Sequence, residues 1–152
     1  MSPLSDFCSL KDALTLGSDT QKLSALREMR ENLSDGEPSW FFDIAKEHIS
    51  SKNNDIRWQS IIVIGEYIPT GQRNEEIWNL ILQYCGYDDD MQVALATVLL
   101  EHLLEYDFER TFDKIRSALQ NGVAPVIDLL NRCSAFGQAE GNWYRIQQII
   151  DE

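Results

Sequence analysis

The chain has 152 residues, with 13 Lys plus Arg against 25 Asp plus Glu and a net charge of −12. One domain of this length buries roughly 68–70% of its unfolded surface. Apolar residues at 43% and four tryptophans supply a core, which excludes a disordered acidic tail. The acid excess leaves no cluster of Lys and Arg for nucleic acid or an anionic membrane, which excludes both as the main partner.

The apolar pattern is helical almost throughout. Ser9 is placed to cap a first short helix, with Asp12 three residues on, and Gly17 stops it. Ser18 or Asp19 starts the next, whose stripe is Leu23, Leu26, Met29 or Arg30, and Leu33, and Ser34-Asp35-Gly36 ends it. Pro38 suits a first helical turn and is followed by Trp40, Phe41, Ile44, Ala45, His48 and Ile49 at helical spacing. A polar turn at Ser51 to Asp55 leads to an apolar helix from Ile56 to Ile68, closed by Pro69-Thr70-Gly71.

Asn74 is placed to cap a helix carrying Ile77, Trp78, Ile81, Leu82 and Tyr84, ended by Gly86. Asp88-Asp89-Asp90 opens a long helix through Leu103. Phe108 to Leu119 is amphipathic and closed by Asn121-Gly122. Pro125 begins a helix through Cys133 that Gly137 ends, and a last helix runs from about Asn142 to Ile150. The expected fold is all-α, with about nine helices in one domain spanning residues 1–152. Turns this short make neighbouring helices antiparallel.

No apolar stretch reaches the roughly 18 residues that a membrane span needs. Met1-Ser2-Pro3-Leu4-Ser5-Asp6 has no basic residue before an apolar block, so no signal peptide is read and a cytoplasmic location is expected. The sequon Asn32-Leu33-Ser34 then carries no weight. Cys8, Cys85 and Cys133 lack metal or disulfide spacing and read as separate buried thiols.

Two segments align at an offset of 35 residues, Asp55–Ile68 over Asp90–Leu103, each preceded by another amphipathic helix. Paired helices at such a period are the sequence signature of an α-solenoid. The stretch NNDIRWQSIIVIGEYI resembles the second helix of a HEAT repeat through Asp55, Arg57, Ser60 and Ile64-Gly65. The copy at Asp90 keeps the Asp but has Gln92 for the Arg and Leu100 for the Gly. The resemblance covers residues 19–136 and is clearest over 38–69 and 73–106. It implies a short right-handed HEAT-like stack of antiparallel helix pairs. A period of 35 is shorter than a usual HEAT unit, and the alternative is an irregular helical bundle.

Asp55 and Asp90 stand at helix N-termini, where a carboxylate accepts an orphan N–H and opposes the helix dipole. Asp88-Asp89-Asp90 reads first as a capping cluster. As a metal site it lacks the alternating ligands, central Gly and terminal Glu of a calcium loop.

The sequence has no H-E-x-x-H, G-x-S-x-G, phosphate-binding loop or dinucleotide fingerprint. The expectation is a non-enzyme with no cofactor. Glu101-His102 with Glu105 one turn on is the best three-dimensional dyad available to a catalytic reading.

Residues 53–106 hold nine acids and only Arg57 and Arg73, giving −7 of the total −12. In a solenoid, residues one period apart stack, which puts Glu66 beside Glu101 and Tyr67 beside His102. Such a ladder of like charge repels itself and adds nothing to the fold. It is either a solvated surface or a docking face for a basic protein. The docking reading assigns Asp55, Glu66, Tyr67, Asp88, Asp89, Asp90, Glu101, His102 and Glu105 to partner binding, with Trp40 or Trp58 as further anchors. Trp78 reads as core and Trp143 as a staple for the last helix.

In size, acidity and helical build the chain is similar to bacterial immunity proteins that neutralise nuclease toxins, including those of contact-dependent inhibition. That likeness implies an inhibitor whose carboxylates take the place of phosphates in a basic groove. The alternative is a HEAT-like adaptor holding a peptide or helix by apolar contacts.

Overall fold

The computed structural model describes residues 3–31 and 40–152, with side chains from residue 9 onward except that of Trp40. Ser34-Asp35-Gly36, Pro38, the sequon and the side chains of Cys8 and Trp40 lie outside the described residues. All described elements are helical, and no strand occurs among the described residues. They form nine helices in two compact units, residues 1–66 and 67–152.

In the first unit, α1 (Pro3–Leu16) packs on α2 (Asp19–Glu31), and both α2 and α3 (Trp40–Glu47) pack on α4 (Asn54–Gly65). Ser9 does not cap α1. It lies inside a helix that starts at Pro3, where the fixed φ of proline suits a first turn. Ser18 does begin α2. Its N–H donates to Gln21 Oε1 at 2.8 Å, and the Gln21 N–H donates to Ser18 Oγ at 3.3 Å, a reciprocal cap at S-x-x-Q spacing. A Cβ on Gly17 would stand 2.3 Å from Ala13 O, so the chain leaves α1 through a gap that only glycine fits.

The core of this unit is Leu10, Leu14, Leu26, Met29, Phe41, Phe42, Ile49, Ile56, Ile61 and Ile64, all nearly sealed from solvent. Full burial of each such side chain is worth about 1.5–3 kcal/mol. His48 ties α3 to α1, with Nδ1 2.9 Å from Ile44 O and Nε2 3.0 Å from Leu14 O.

Asn53, not Asp55, caps α4. Its Oδ1 accepts from the N–H groups of Asp55 at 3.0 Å and Ile56 at 3.2 Å. An Asx side chain just outside the helix reaches the N–H groups two and three residues on. Asp55 falls within the first turn, where its charge still opposes the dipole. The helix also stops short of the expected Ile68. Gly65 is its last residue, and Pro69 forces the next three residues into a separate 3₁₀ turn, Ile68–Thr70, ended by Gly71 at φ 73°.

The second unit is built around α6, a continuous helix over 89–106. Its parts are Asp89–Ala94, Leu95–Leu100 and Glu101–Tyr106, and the middle part is a π-helical turn. There the Glu101 N–H donates to Ala96 O, five residues back. The first two parts pack on α8 (Pro125–Asn131), the middle part also on α5 (Asn74–Tyr84). The last part packs on α7 (Phe108–Gln120) and on the 3₁₀ turns Ile68–Thr70 and Gly137–Ala139. Met91, Leu95, Leu99, Leu103 and Leu104 are buried along its length.

Asp88, not Asp90, caps α6, accepting from the Met91 N–H at 2.9 Å. Asn74 does not cap α5. It is the first helical residue, and its amide Nδ2 donates to Asp107 Oδ2 at 3.2 Å. Gly137 does not end α8, which stops at Asn131.

The intervening strap, 132–142, is fastened to the end of α6. Gln138 donates to Tyr106 O at 2.9 Å and accepts from the Phe108 N–H at 3.0 Å. The last helix, α9 (Trp143–Asp151), buries only Ile146 fully. Arg145 anchors it with a forked bond to Glu109 at 2.6 and 3.0 Å, and by lying 4.4 Å from the centre of the Phe112 ring.

Candidate functional site

The turn between α5 and α6 combines exposed acids with an exposed aromatic ring. Gly86 ends the apolar run, and Asp88 turns its backbone extended to start α6. Gln92 Nε2 donates to Cys85 O at 3.0 Å and closes the turn from inside. Tyr87 therefore projects outward, 51% exposed, with its ring 4.9 Å from that of the buried Tyr84 in an edge-on contact. Such a ring is already oriented and loses little freedom on binding. Around it stand Asp88, used by the cap, Asp89, with 94% of its side chain exposed, and the half-buried Asp90. Arg132 approaches Asp89 Oδ1 at 3.5 Å.

The other expected residues have separate surroundings. Asp55 and Glu66 are exposed on the first unit, and Glu66 lies 4.0 Å from Arg30. Glu101 is half-buried, and its Oε2 accepts from the Ser134 N–H at 2.9 Å, so it holds the strap. Glu105 lies under the strap, where a Cβ on Gly137 would come within 2.7 Å of its Cγ. His102 is half-buried, with Nδ1 sealed and without a hydrogen-bond partner among the described residues. Neither Glu101 nor Glu105 hydrogen-bonds it, so the Glu–His dyad is not assembled.

Tyr67 needs correction as an anchor. It is 8% exposed and belongs to the core, because it falls directly before the 3₁₀ turn that folds back onto α6. Trp78 is buried as expected, and Trp58 is half-buried. Among the described residues the exposed aromatics that the periodicity missed are Tyr87, Tyr106, Phe136 and Tyr144, and the first two stand beside acids. The signal for Tyr87 and Tyr106 was their place outside the apolar stripes, between a Gly or Glu and an Asp.

The charge is also less local than the count along the chain implies. Lys114 donates to Glu75 at 2.6 Å and holds its pKa below the ordinary 4.5, first through that hydrogen bond and then through its charge. Arg132 likewise reaches Asp89 from a distant part of the chain. Bases from 107–152 thus reach back to the segment that holds almost none of its own.

Neither described cysteine is primed for nucleophilic chemistry. Burial, followed by the nearby Glu101 charge, raises the Cys133 pKa strongly, and its Sγ donates to Ala96 O at 3.4 Å and Leu129 O at 3.3 Å. Burial raises that of Cys85 as well. Among the described residues no three His, Cys, Asp or Glu side chains gather to hold a metal ion. No helix among them is long and apolar enough to cross a membrane.

No family model matches the chain, and no curated protein or solved structure matches it significantly.

Proposed function

We propose that this chain is a non-catalytic, cytoplasmic protein-binding module, an immunity-type inhibitor that neutralises a basic toxin or nuclease domain. Its helix pairs would form a short right-handed HEAT-like stack. Support for the stack is that alternate helices touch within each unit, α2 with α4 and α6 with α8, while α1–α2, α3–α4, α5–α6 and α7–α8 pack as pairs.

The observation that carries the binding reading is the 86–90 turn. A pinned, half-exposed tyrosine beside exposed carboxylates suits a cationic protein surface, with the ring filling a pocket and the acids steering approach. The second unit carries fourteen acids and six bases, so its field favours such a partner at long range. Association would be fast and would weaken as salt rises.

The test is affinity capture from the native host with the wild type and with a variant carrying Tyr87→Ala, Asp89→Asn and Asp90→Asn, leaving the Asp88 cap intact. A basic toxin or nuclease domain retained by the wild type and lost by the variant supports the reading. Equal retention by both removes the turn from the interface.

The adaptor reading rests on a different observation. Leu119, Ile127, Ile149 and Ile150 line an open, mainly apolar groove of about 380 Å³ beside α9. Binding there would persist at high salt, which separates the two readings.

A further inference from the structure

We propose that the cleft between α5 and α7 binds a free α-amino acid. The cleft has a volume of about 240 Å³ and lies wholly within the second unit. At about 30 Å³ per water it holds on the order of eight water molecules, which suits one small polar ligand and not a chain segment.

Its walls carry both signs of charge in a fixed order. Asp107, Arg110 and Lys114 follow one another at helical spacings of three and four, so they share one face of the start of α7. Opposite them, α5 contributes Asn74, Glu75 and Trp78 from its first turns. Lys114 is engaged by Glu75. Arg110 has no hydrogen bond or ion pair of its own among the described residues, although its charge helps lower the Glu75 pKa. The Asn74 amide is oriented by donating Nδ2 to Asp107, and its Oδ1 is left sealed and without a donor. The χ2 torsion of Asn is soft, so a donor placed beside Asp107 can draw that oxygen round.

These groups discriminate by charge. A simple anion would face Glu75 and Asp107, and a simple cation would face Arg110 and Lys114. A ligand carrying both charges on neighbouring atoms meets neither repulsion. Its carboxylate would pair with Arg110, and its ammonium would lie between Asp107 and Asn74 Oδ1. A side chain would meet the edge of Trp78 that the cleft leaves open. Both charges of the ligand are needed, and so is its small size.

The test uses the full chain, labelled with 15N, titrated with each standard amino acid and then with the amide and the N-acetyl derivative of each one that binds, which lack the carboxylate and the ammonium charge respectively. Expected are shifts of the Asn74 side-chain amide and Trp78 signals with at least one free amino acid. Removing either charge should weaken binding about tenfold or more, and Arg110→Gln should abolish the preference for the free amino acid over its amide. Arg110 is exposed, so that variant retains the fold. The proposal fails if no standard amino acid moves these signals at about 10 mM. It fails if the amide binds as well as the free amino acid. It also fails if only an arginine-rich peptide shifts them, which would make the cleft a seat for a partner's side chain.

Discussion

Helices α4 and α6 share one sequence pattern and are different objects in the fold. Both start with an Asn or Asp cap and a further acid in the first turn, and both bury the aligned pair Ile64 and Leu99 completely. They part at the aligned positions Gly65 and Leu100. The first helix stops at its glycine, and Pro69 prevents it from resuming. The second has Leu100 and Leu104 there, so it runs on to Tyr106, with a π turn over Leu95–Leu100. One extra residue in a turn rotates the remainder of the helix by about 100° relative to a regular one. The 35-residue register still matches burial at Ile64 with Leu99 and at Ile68 with Leu103, so the two segments differ in where the helix ends and not in these sealed apolar positions. Glu101 is turned toward the strap, where its Oε2 accepts from the Ser134 N–H.

The largest effects test the shared part of the pattern. Ile64→Ala and Leu99→Ala should each cost about 2–5 kcal/mol in urea unfolding, since both remove a sealed side chain. Transplanting the stop residue, Leu100→Gly, should cost at least as much and should also raise hydrogen exchange across Glu101–Tyr106. If exchange there is unchanged, the glycine does not decide where these helices end.

The caps come next. Asn53→Ala and Asp88→Ala should each cost about 1 kcal/mol. Asp55→Ala and Asp90→Ala should each cost less than the matching cap, Asp55→Ala about the 0.3–1 kcal/mol of a dipole contribution. A reversed order, read from the same unfolding curves, would restore the capping roles that the sequence suggested for Asp55 and Asp90.

The smaller effects concern charges that reach across the second unit. Arg145→Ala frees Glu109 and uncovers Phe112, so α9 should exchange faster than any other helix of the unit while the rest stays protected. The carboxyls of Glu75 and Glu109 have pKa values lowered by their hydrogen bonds to Lys114 and Arg145. A lowered folded pKa contributes stability that is present above the ordinary value of 4.5 and lost as pH falls through the folded pKa. Acid unfolding in that window should be blunted in Glu75→Gln and Glu109→Gln.

The helical class, the order of the helices and most of the core were legible, because apolar spacing reports which faces meet other faces. Ser18 was legible too, since its capping partner Gln21 stands in the same turn. The π turn was not, because Leu95 to Leu100 reads as ordinary apolar helix and the extra residue is fixed by packing on α5 and α8. Tyr67 was misplaced because a tyrosine beside an acid looks the same whether a later turn buries it or leaves it out. The acidic segment was legible as a count but not as a field. Lys114 and Arg132 reach it only through the fold.

The most direct test of the binding claim is the salt dependence of partner affinity for the wild type and for the Tyr87→Ala, Asp89→Asn, Asp90→Asn variant. Wild-type affinity should fall steadily as salt rises, and the variant should bind far more weakly with a shallower dependence. Equal affinity and equal salt dependence for the two proteins would contradict a binding surface at the 86–90 turn.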